Sequence, residues 1–239
     1  MRKWKTKNGC EIFQVLNRRS NSYLICTENG NILVDTGRES AYIQLQKNMD
    51  SINFNQENIN LLILTHTHYD HCQNAAVIKE KANCKILMSE YEACYPKFGY
   101  TPLPGGTFAI TRFISNLGNR IGQRRFGYNP FIPEMLVTDK LDLVTCKISI
   151  ISTNGHSSGS ISVIIDNEIA VVGDAMIGVF SKSIFPPFAD DINKMIISWG
   201  KLLETTCQVF LPGHGKEIKR ELLQSEFDKY VQKYNIRKK

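Results

Sequence analysis

The stretch Leu61-Leu-Ile-Leu-Thr65-His66-Thr-His68-Tyr-Asp70-His71 decides how the rest of this chain is read. Its first half is an apolar run of strand length, and Gln73-Asn-Ala-Ala-Val-Ile78 opens a helix directly after it. Three imidazoles and a carboxylate therefore fall at the carboxyl end of a buried strand, the crevice in which α/β proteins bind ligands. Imidazole is the commonest metal ligand among side chains, and this spacing suits a divalent cation rather than a hydrophobic core.

The other two of the five histidines lie in similar places. His156 stands in Asn154-Gly-His-Ser157 after the strand-like Ser149-Ile-Ile-Ser-Thr153, and His214 in Pro212-Gly-His-Gly215 after Val209-Phe-Leu211. Asp174 follows Ala170-Val-Val-Gly173 in the same way. β-branched enrichment and alternation predict strands over 11–16, 21–28, 32–35, 61–65, 85–88, 147–152, 160–166, 168–172 and 208–211. Apolar residues three or four apart predict helices over 40–49, 73–81, 192–204 and 216–234. Four strand ends thus carry chemistry to one edge of an α/β scaffold.

Counting ligands points to two metals. His66, His68 and His156 make a three-histidine site that leaves a fourth tetrahedral position for water, Asp70, His71 and His214 make a second set, and Asp174 can bridge them. Two cations about 3.5–4 Å apart would share a water, bring its pKa towards neutrality and supply a bridging hydroxide as nucleophile.

Composition limits the class. A chain of 239 residues, 42% hydrophobic and 22% charged, buries a full core without disulfides and is expected to form one domain over 1–239. The apolar runs at 59–64 and 161–165 are strand-sized, so neither a spanning segment nor a membrane partner is expected. Thr6-Lys-Asn-Gly-Cys-Glu11 stands where the apolar core of a signal would be. Seven cysteines without a C-x-x-C pair read as reduced thiols, and the expected compartment is the cytoplasm.

Thr65-His-x-His-x-Asp-His71, Gly155-His156, Gly173-Asp174 and Gly213-His214, preceded by Leu33-Val-Asp-Thr-Gly37, resemble the motif set of the metallo-β-lactamase superfamily in order and spacing. The resemblance implies a four-layer αβ/βα sandwich, an α/β fold with a dinuclear site at the edge between two β-sheets. Zinc is the implied metal, with iron or manganese also compatible with such ligands. It makes Asp35 a carboxylate that orients a ligand, although Thr36-x-x-Glu39 before a helix also fits a capping box. True β-lactamases carry no aspartate at the position of Asp174, whereas glyoxalase II and the lactonases do, which points away from antibiotic hydrolysis. His68 stands where flavodiiron reductases carry an acidic residue, which disfavours oxygen reduction.

Two neighbouring features have plainer readings. Gly155-His-Ser-Ser-Gly159 matches the nucleophile elbow of the α/β-hydrolases, but that elbow must open a helix and Ser160-Ile-Ser-Val-Ile-Ile-Asp166 alternates like a strand. Ser157 is then a turn residue that positions His156. Cys72, beside His71, reads as packing at a helix start.

The segment 93–133 is the oddest in composition, with no Asp or Glu but with Lys97, Arg112, Arg120, Arg124 and Arg125 among eight Phe and Tyr residues. It reads equally as an irregular lid over the metals or as a satellite cluster with a solvated basic face. As a lid, it offers Arg124, Arg125, Phe126 and Tyr128 as substrate contacts, for an anionic molecule with an apolar or planar part. The expected activity is hydrolysis of an ester, thioester or lactone. The net charge of +6 leaves a phosphodiesterase or nuclease as the alternative, and a metal-loaded sensor without turnover as another.

Overall fold

Residues 161–165 and 169–173 read Ile-Ser-Val-Ile-Ile and Ile-Ala-Val-Val-Gly, and each is buried along its whole length. Runs without polar alternation belong to strands covered on both faces. The computed structural model describes residues 1–17, 19–143 and 147–236. Cys146 and the basic Arg237, Lys238 and Lys239 lie outside the described residues.

Two mixed sheets form the centre. The first holds β1 (Lys3–Lys5), β2 (Glu11–Asn17), β3 (Asn21–Thr27), β4 (Gly30–Val34), β5 (Ile59–Ile63), β6 (Lys85–Ser89) and β7 (Met135–Val137) in that order. Pairing is antiparallel from β1 to β4 and parallel from β4 to β7. The second holds β8 (Lys140–Leu143), β9 (Ile148–Ser152), β10 (Ile161–Ile165), β11 (Ile169–Gly173), β12 (Val209–Pro212) and β13 (Ile218–Lys219), in reverse chain order across the sheet. Only β11 and β12 pair in parallel there.

Side-chain alternation sorts the apolar residues into three layers of contact. Tyr23, Ile25, Val34 and Ile63 of the first sheet meet Ile150, Val163, Ile165 and Val171 of the second. Leu24, Leu33, Leu62 and Ile86 face the other way, onto Leu45 and Met49 of α1 (Tyr42–Asp50) and Ile78 of α3 (Ala75–Ala82); the single turn α2 (Tyr69–Cys72) precedes α3. On the far side Ile164, Ala170, Val172 and Phe210 pack against the next helices. These pair with Met195, Ile196, Trp199 and Leu202 of α6 (Ile192–Glu204) and with Leu223 and Tyr230 of α7 (Arg220–Tyr234). Helix, sheet, sheet, helix is the four-layer αβ/βα sandwich that the motifs imply.

Three readings change. Ile218 and Lys219 are a strand paired with Val209 and Phe210, so α7 starts at Arg220 rather than at 216. Segment 93–133 is not irregular: it contains α4 (Tyr95–Phe98) and α5 (Ala109–Phe126), the latter broken at Gly122. The Thr36-x-x-Glu39 capping box does not form, because the Thr36 hydroxyl donates to the His71 carbonyl at 3.0 Å and residues 39–41 are a 3-10 turn without a side-chain cap. Among the described residues no helix is long and apolar enough to cross a membrane, and no disulfide joins two of the described cysteines.

Candidate metal centre

β9 and β11 are both antiparallel to β10, and β12 is parallel to β11, so the three carboxyl ends point the same way. They meet the loop that leaves β5. Ile161 N–H donates to the Thr65 carbonyl at 2.9 Å, and Asn21 N–H to the Gly213 carbonyl at 2.7 Å, which ties the loops of the two sheets together. Helix α6 holds two of these loops in place. Asp190 and Asp191, at its start, donate to the His156 and Gly155 carbonyls, and the indole of buried Trp199 donates to the Ala175 carbonyl at 2.7 Å.

All seven residues singled out as ligands come together. Donor atoms lie within 4.8 Å of one another in three triads: His66, His68 and His156; His66, His71 and Asp174; Asp70, His71 and His214. Each triad takes two residues from the loop after β5 and one from the second sheet. His68 Nδ1 is 3.0 Å from His156 Nε2, and His71 Nε2 is 3.4 Å from His214 Nε2. Asp174 stands between them, with Oδ1 3.5 Å from His71 Nε2 and Oδ2 3.7 Å from His156 Nε2 and 3.2 Å from His214 Nε2. Asp70 Oδ2 is 3.6 Å from His214 Nε2.

The outer ring nitrogens fix the tautomers. His71 Nδ1 donates to Asp35 Oδ2 at 2.8 Å, His156 Nδ1 to the Phe188 carbonyl at 2.9 Å, and His214 Nδ1 to the Arg19 carbonyl. Thr65 Oγ1 gives its proton to Asp35 Oδ2 at 2.7 Å and therefore accepts from His66 Nδ1 at 3.0 Å. In a neutral ring this turns the Nε2 lone pairs of four histidines inward. His68 is reversed: Nδ1 faces His156, and the ring bonds the backbone of Pro102, which lacks an N–H and can only accept. His66 Nε2 and Asp174 Oδ1 are buried with no hydrogen-bond partner among the described residues. Buried polar atoms in that state are costly unless a ligand satisfies them, and a divalent cation satisfies a lone pair and a carboxylate oxygen at once. The residues present therefore fit the metal that the motifs imply.

Charge is divided across the cluster. Burial, followed by the neighbouring imidazoles, pushes His66 well below its ordinary value, and burial is the main cause that brings His68 and His156 to about 4. Burial opposes protonation of His71 as well, but Asp174 and Asp35 override it and carry that ring up to about 10. His214 is raised, against its burial, by Asp174. The Asp174 carboxyl, despite burial, is held well below the usual range by His214 and His71. Burial thus favours the neutral form of His66, His68 and His156, whereas Asp174 favours the protonated form of His71 and His214.

Supporting groups account for the loop shapes. Asp35 sits in the left-handed region (φ 58°), where its carboxylate reaches Thr65 N–H at 2.8 Å as well as His71. Sequence reasoning passed over Glu92, which is 1% exposed and bridges the two histidine loops. Its Oε2 accepts from Thr67 N–H and Thr67 Oγ1, both at 2.7 Å, and its Oε1 from Gly159 N–H at 3.0 Å. An acidic residue at the edge of an acid-free segment was the available signal. Gly213 is required by crowding: a Cβ there would lie 2.2 Å from Asp174 Oδ1 and 2.6 Å from His71 Cε1.

Comparison with known proteins agrees with this geometry. A model of the metallo-beta-lactamase superfamily matches residues 16–214. The chain belongs to that superfamily. It is 29% identical over 157 residues to a probable metallo-hydrolase of Methanocaldococcus jannaschii, covering 66% of this chain and 67% of the other. It is 23% identical over 229 residues to a beta-lactamase-like protein 2 homolog of Drosophila melanogaster, covering 96% and 69%. Among solved structures, a metallo-beta-lactamase of Cronobacter sakazakii with a HARLDQ motif superposes with TM-score 0.69 at 17% identity, covering 98% of this chain and 93% of that one. The subclass B3 enzyme BJP-1 of Bradyrhizobium japonicum gives 0.66 at 17%, covering 94% and 92%. At such identities these structures share the fold.

A cleft of about 730 Å³ opens over the cluster. Arg19, Arg38 and Lys216 line it beside the metal residues, and Leu103, Ile114, Phe126, Val179, Pro187 and Phe188 supply apolar walls. Of the four substrate contacts expected from segment 93–133, Phe126 alone lines this cleft, packing on Tyr69 with ring centroids 4.9 Å apart. Arg124 and Arg125 line a separate recess with Glu39 and Gln73. Tyr128 is a core residue packed on Phe131. Its hydroxyl, 2.7 Å from Thr101 Oγ1, ends a chain that runs through Thr67 to Glu92, so it braces the histidine loop and does not line the cleft. Ser157 bonds Ser160 Oγ at 2.9 Å within its own turn, and strand β10 follows, which removes the serine-elbow reading. Cys72 donates to the Thr67 carbonyl at 3.1 Å from within the core.

Proposed function

We propose that the chain is a dinuclear metal-dependent hydrolase, with zinc as the cation, that cleaves an ester, thioester or lactone of a small anionic molecule. The observation that carries the reading is the place of Asp174, whose carboxylate faces His71, His156 and His214 together. A carboxylate so placed can be shared by one cation on His66, His68 and His156 and another on Asp70, His71 and His214. Two such cations, when bound, bring the pKa of water towards neutrality and polarise a carbonyl oxygen.

The chain's own residues do the rest. Arg19 and Lys216 offer charge to an anionic group, and the apolar walls hold an acyl or planar part out of water. Tyr69 lines the cleft, and its hydroxyl accepts from Arg38 Nη2 at 2.6 Å, which leaves its own proton free for a substrate oxygen. Burial, with Asp70 beside it, raises the Tyr69 pKa, so the group stays a donor at neutral pH. The lack of a disulfide between described cysteines suits a reducing, cytoplasmic setting.

Hydrolysis of a generic thioester beside bis(p-nitrophenyl) phosphate, each with a chelated control, tests the reading. Chelator-sensitive thioester cleavage is the expected result. The basic side of the cleft favours a phosphodiesterase as the second reading, and phosphodiester cleavage alone would establish it in place of the first. Tight cation binding without turnover of either compound would leave a sensor.

A further inference from the structure

Helix α5 presents its apolar side to the outside. Its buried positions are Thr111, Ser115, Gly118 and Gly122, while Ile110, Phe113, Ile114, Leu117 and Ile121 are between 47% and 70% exposed. The exposed set falls at i, i+3, i+4, i+7 and i+11, the spacing of one helix face. The buried set is accommodated by close approach and hydrogen bonds. A Cβ at Gly118 would lie 2.4 Å from Leu103 Cδ1, and the Ser115 hydroxyl donates to the Pro104 carbonyl at 2.7 Å. Beside the apolar face runs an exposed polar one with Arg112, Asn116, Asn119 and Arg120, followed by Arg124 and Arg125. Among the described residues none of these arginines is in an ion pair, and the sequence has no Asp or Glu between 93 and 133.

We propose that this face of α5 seats on the surface of an anionic lipid bilayer. An apolar stripe flanked by arginines is the pattern of a helix that lies in the interface, where its large side chains enter the acyl boundary and its cations meet anionic headgroups. A second copy of the chain fits less well. A twofold contact sets a patch against itself, which would bring Arg112 and Arg120 towards their own copies with no carboxylate on the segment to pair them. The lack of a spanning segment led to the expectation of no membrane partner, but lying on a bilayer requires no such segment.

The docking face adjoins the cleft. Ile114 belongs to the stripe and also lines the cleft, and Val179, 57% exposed, lines it from another loop, with Phe180, 58% exposed, beside it. The metal cleft therefore opens beside the surface on which the helix rests. An amphiphile could pass from the lipid into the cleft with little apolar surface exposed to water.

Flotation with vesicles of phosphatidylcholine alone, and of phosphatidylcholine mixed with phosphatidylglycerol, tests the seat. The wild-type chain should float with the mixed vesicles and not with the neutral ones, and less so at high salt. F113S/L117S should weaken that binding about 100-fold, and R112E/R120E about tenfold or more. Neither variant should move the thermal midpoint, since all four side chains are exposed. If F113S/L117S fails to fold, the charge reversals decide alone, because replacing exposed arginines removes no packing. Absence of wild-type flotation, or flotation unchanged in the folded variants, would overturn the proposal. So would a lipid-free dimer in sedimentation velocity that F113S/L117S dissociates.

Discussion

Asp35 holds His71 and Thr65 with one carboxylate: Oδ2 accepts from His71 Nδ1 at 2.8 Å while Oδ1 accepts from Thr65 N–H at 2.8 Å. The backbone of Asp35 adopts a left-handed conformation to do so, at a cost of about 1 kcal/mol or more that the two bonds offset. Asp35→Asn replaces one acceptor oxygen by an NH2 group facing a donor. Cation affinity should fall about 10–100-fold, measured by competition with a chromogenic chelator. Unchanged affinity would mean that His71 needs no such partner.

His66→Ala and Asp174→Ala should each abolish turnover while the far-UV circular dichroism stays that of the wild type. Each side chain has an unpartnered atom directed into the cluster, so its loss opens no protein–protein hydrogen bond at that atom. Wild-type rates in either variant, with any substrate, would show that the cluster is not the reacting centre.

Glu92→Ala leaves three buried donors on Thr67 and Gly159 without an acceptor. The loss should be about 2 kcal/mol or more, seen as a fall in Tm of about 4 °C or more. Tyr128→Phe removes only the far end of the same chain of hydroxyls and should cost about 1 kcal/mol. Equal effects of the two would contradict the chain.

Acid should weaken the chelated protein over a defined window. His68 and His156 sit at about 4 when folded, below the ordinary 6.5, so between those values the unfolded chain binds more protons than the folded one. The stability they contribute is complete above pH 6.5 and is lost as pH falls through 6.5 towards 4. Thermal scans across pH should show Tm dropping in that interval, and H68N/H156N should flatten the drop.

Gly213→Ala tests crowding instead of charge. The added methyl would overlap Asp174 and His71, and both are held by neighbours that cannot yield without moving a ligand. Cation content after purification should fall well below one-to-one with the wild type, whereas Gly9→Ala, with nothing within 4 Å of the new Cβ, should leave it unchanged.

The elements read from sequence share a cause. β5, β10 and β11 carry apolar runs because both of their faces are covered, and the histidines follow strand ends because the loops there form the site. What stayed hidden depends on contacts between distant segments. β7 and β8 are short and half exposed, so they lack a run to read. Arg19, Arg38 and Lys216 are ordinary surface cations until folding brings them to the cleft. Tyr128 and Arg124 are neighbours in sequence, yet one faces the core and the other water. Helix α5 was passed over although Ile110, Phe113, Ile114, Leu117 and Ile121 carry helical spacing; what that spacing does not give is the buried side, because the buried positions are the small and polar ones.

Each of the three triads draws two ligands from the first sheet's loop and one from the second sheet. A cation in any of them is a rivet between the halves of the sandwich, and neither half by itself offers a complete grip. Cut between β7 and β8 and expressed as two pieces, the protein should take up metal only when the pieces reassemble. Metal uptake then becomes a gauge of complementation, and a chelator becomes a means of loosening the two halves without touching their apolar contact.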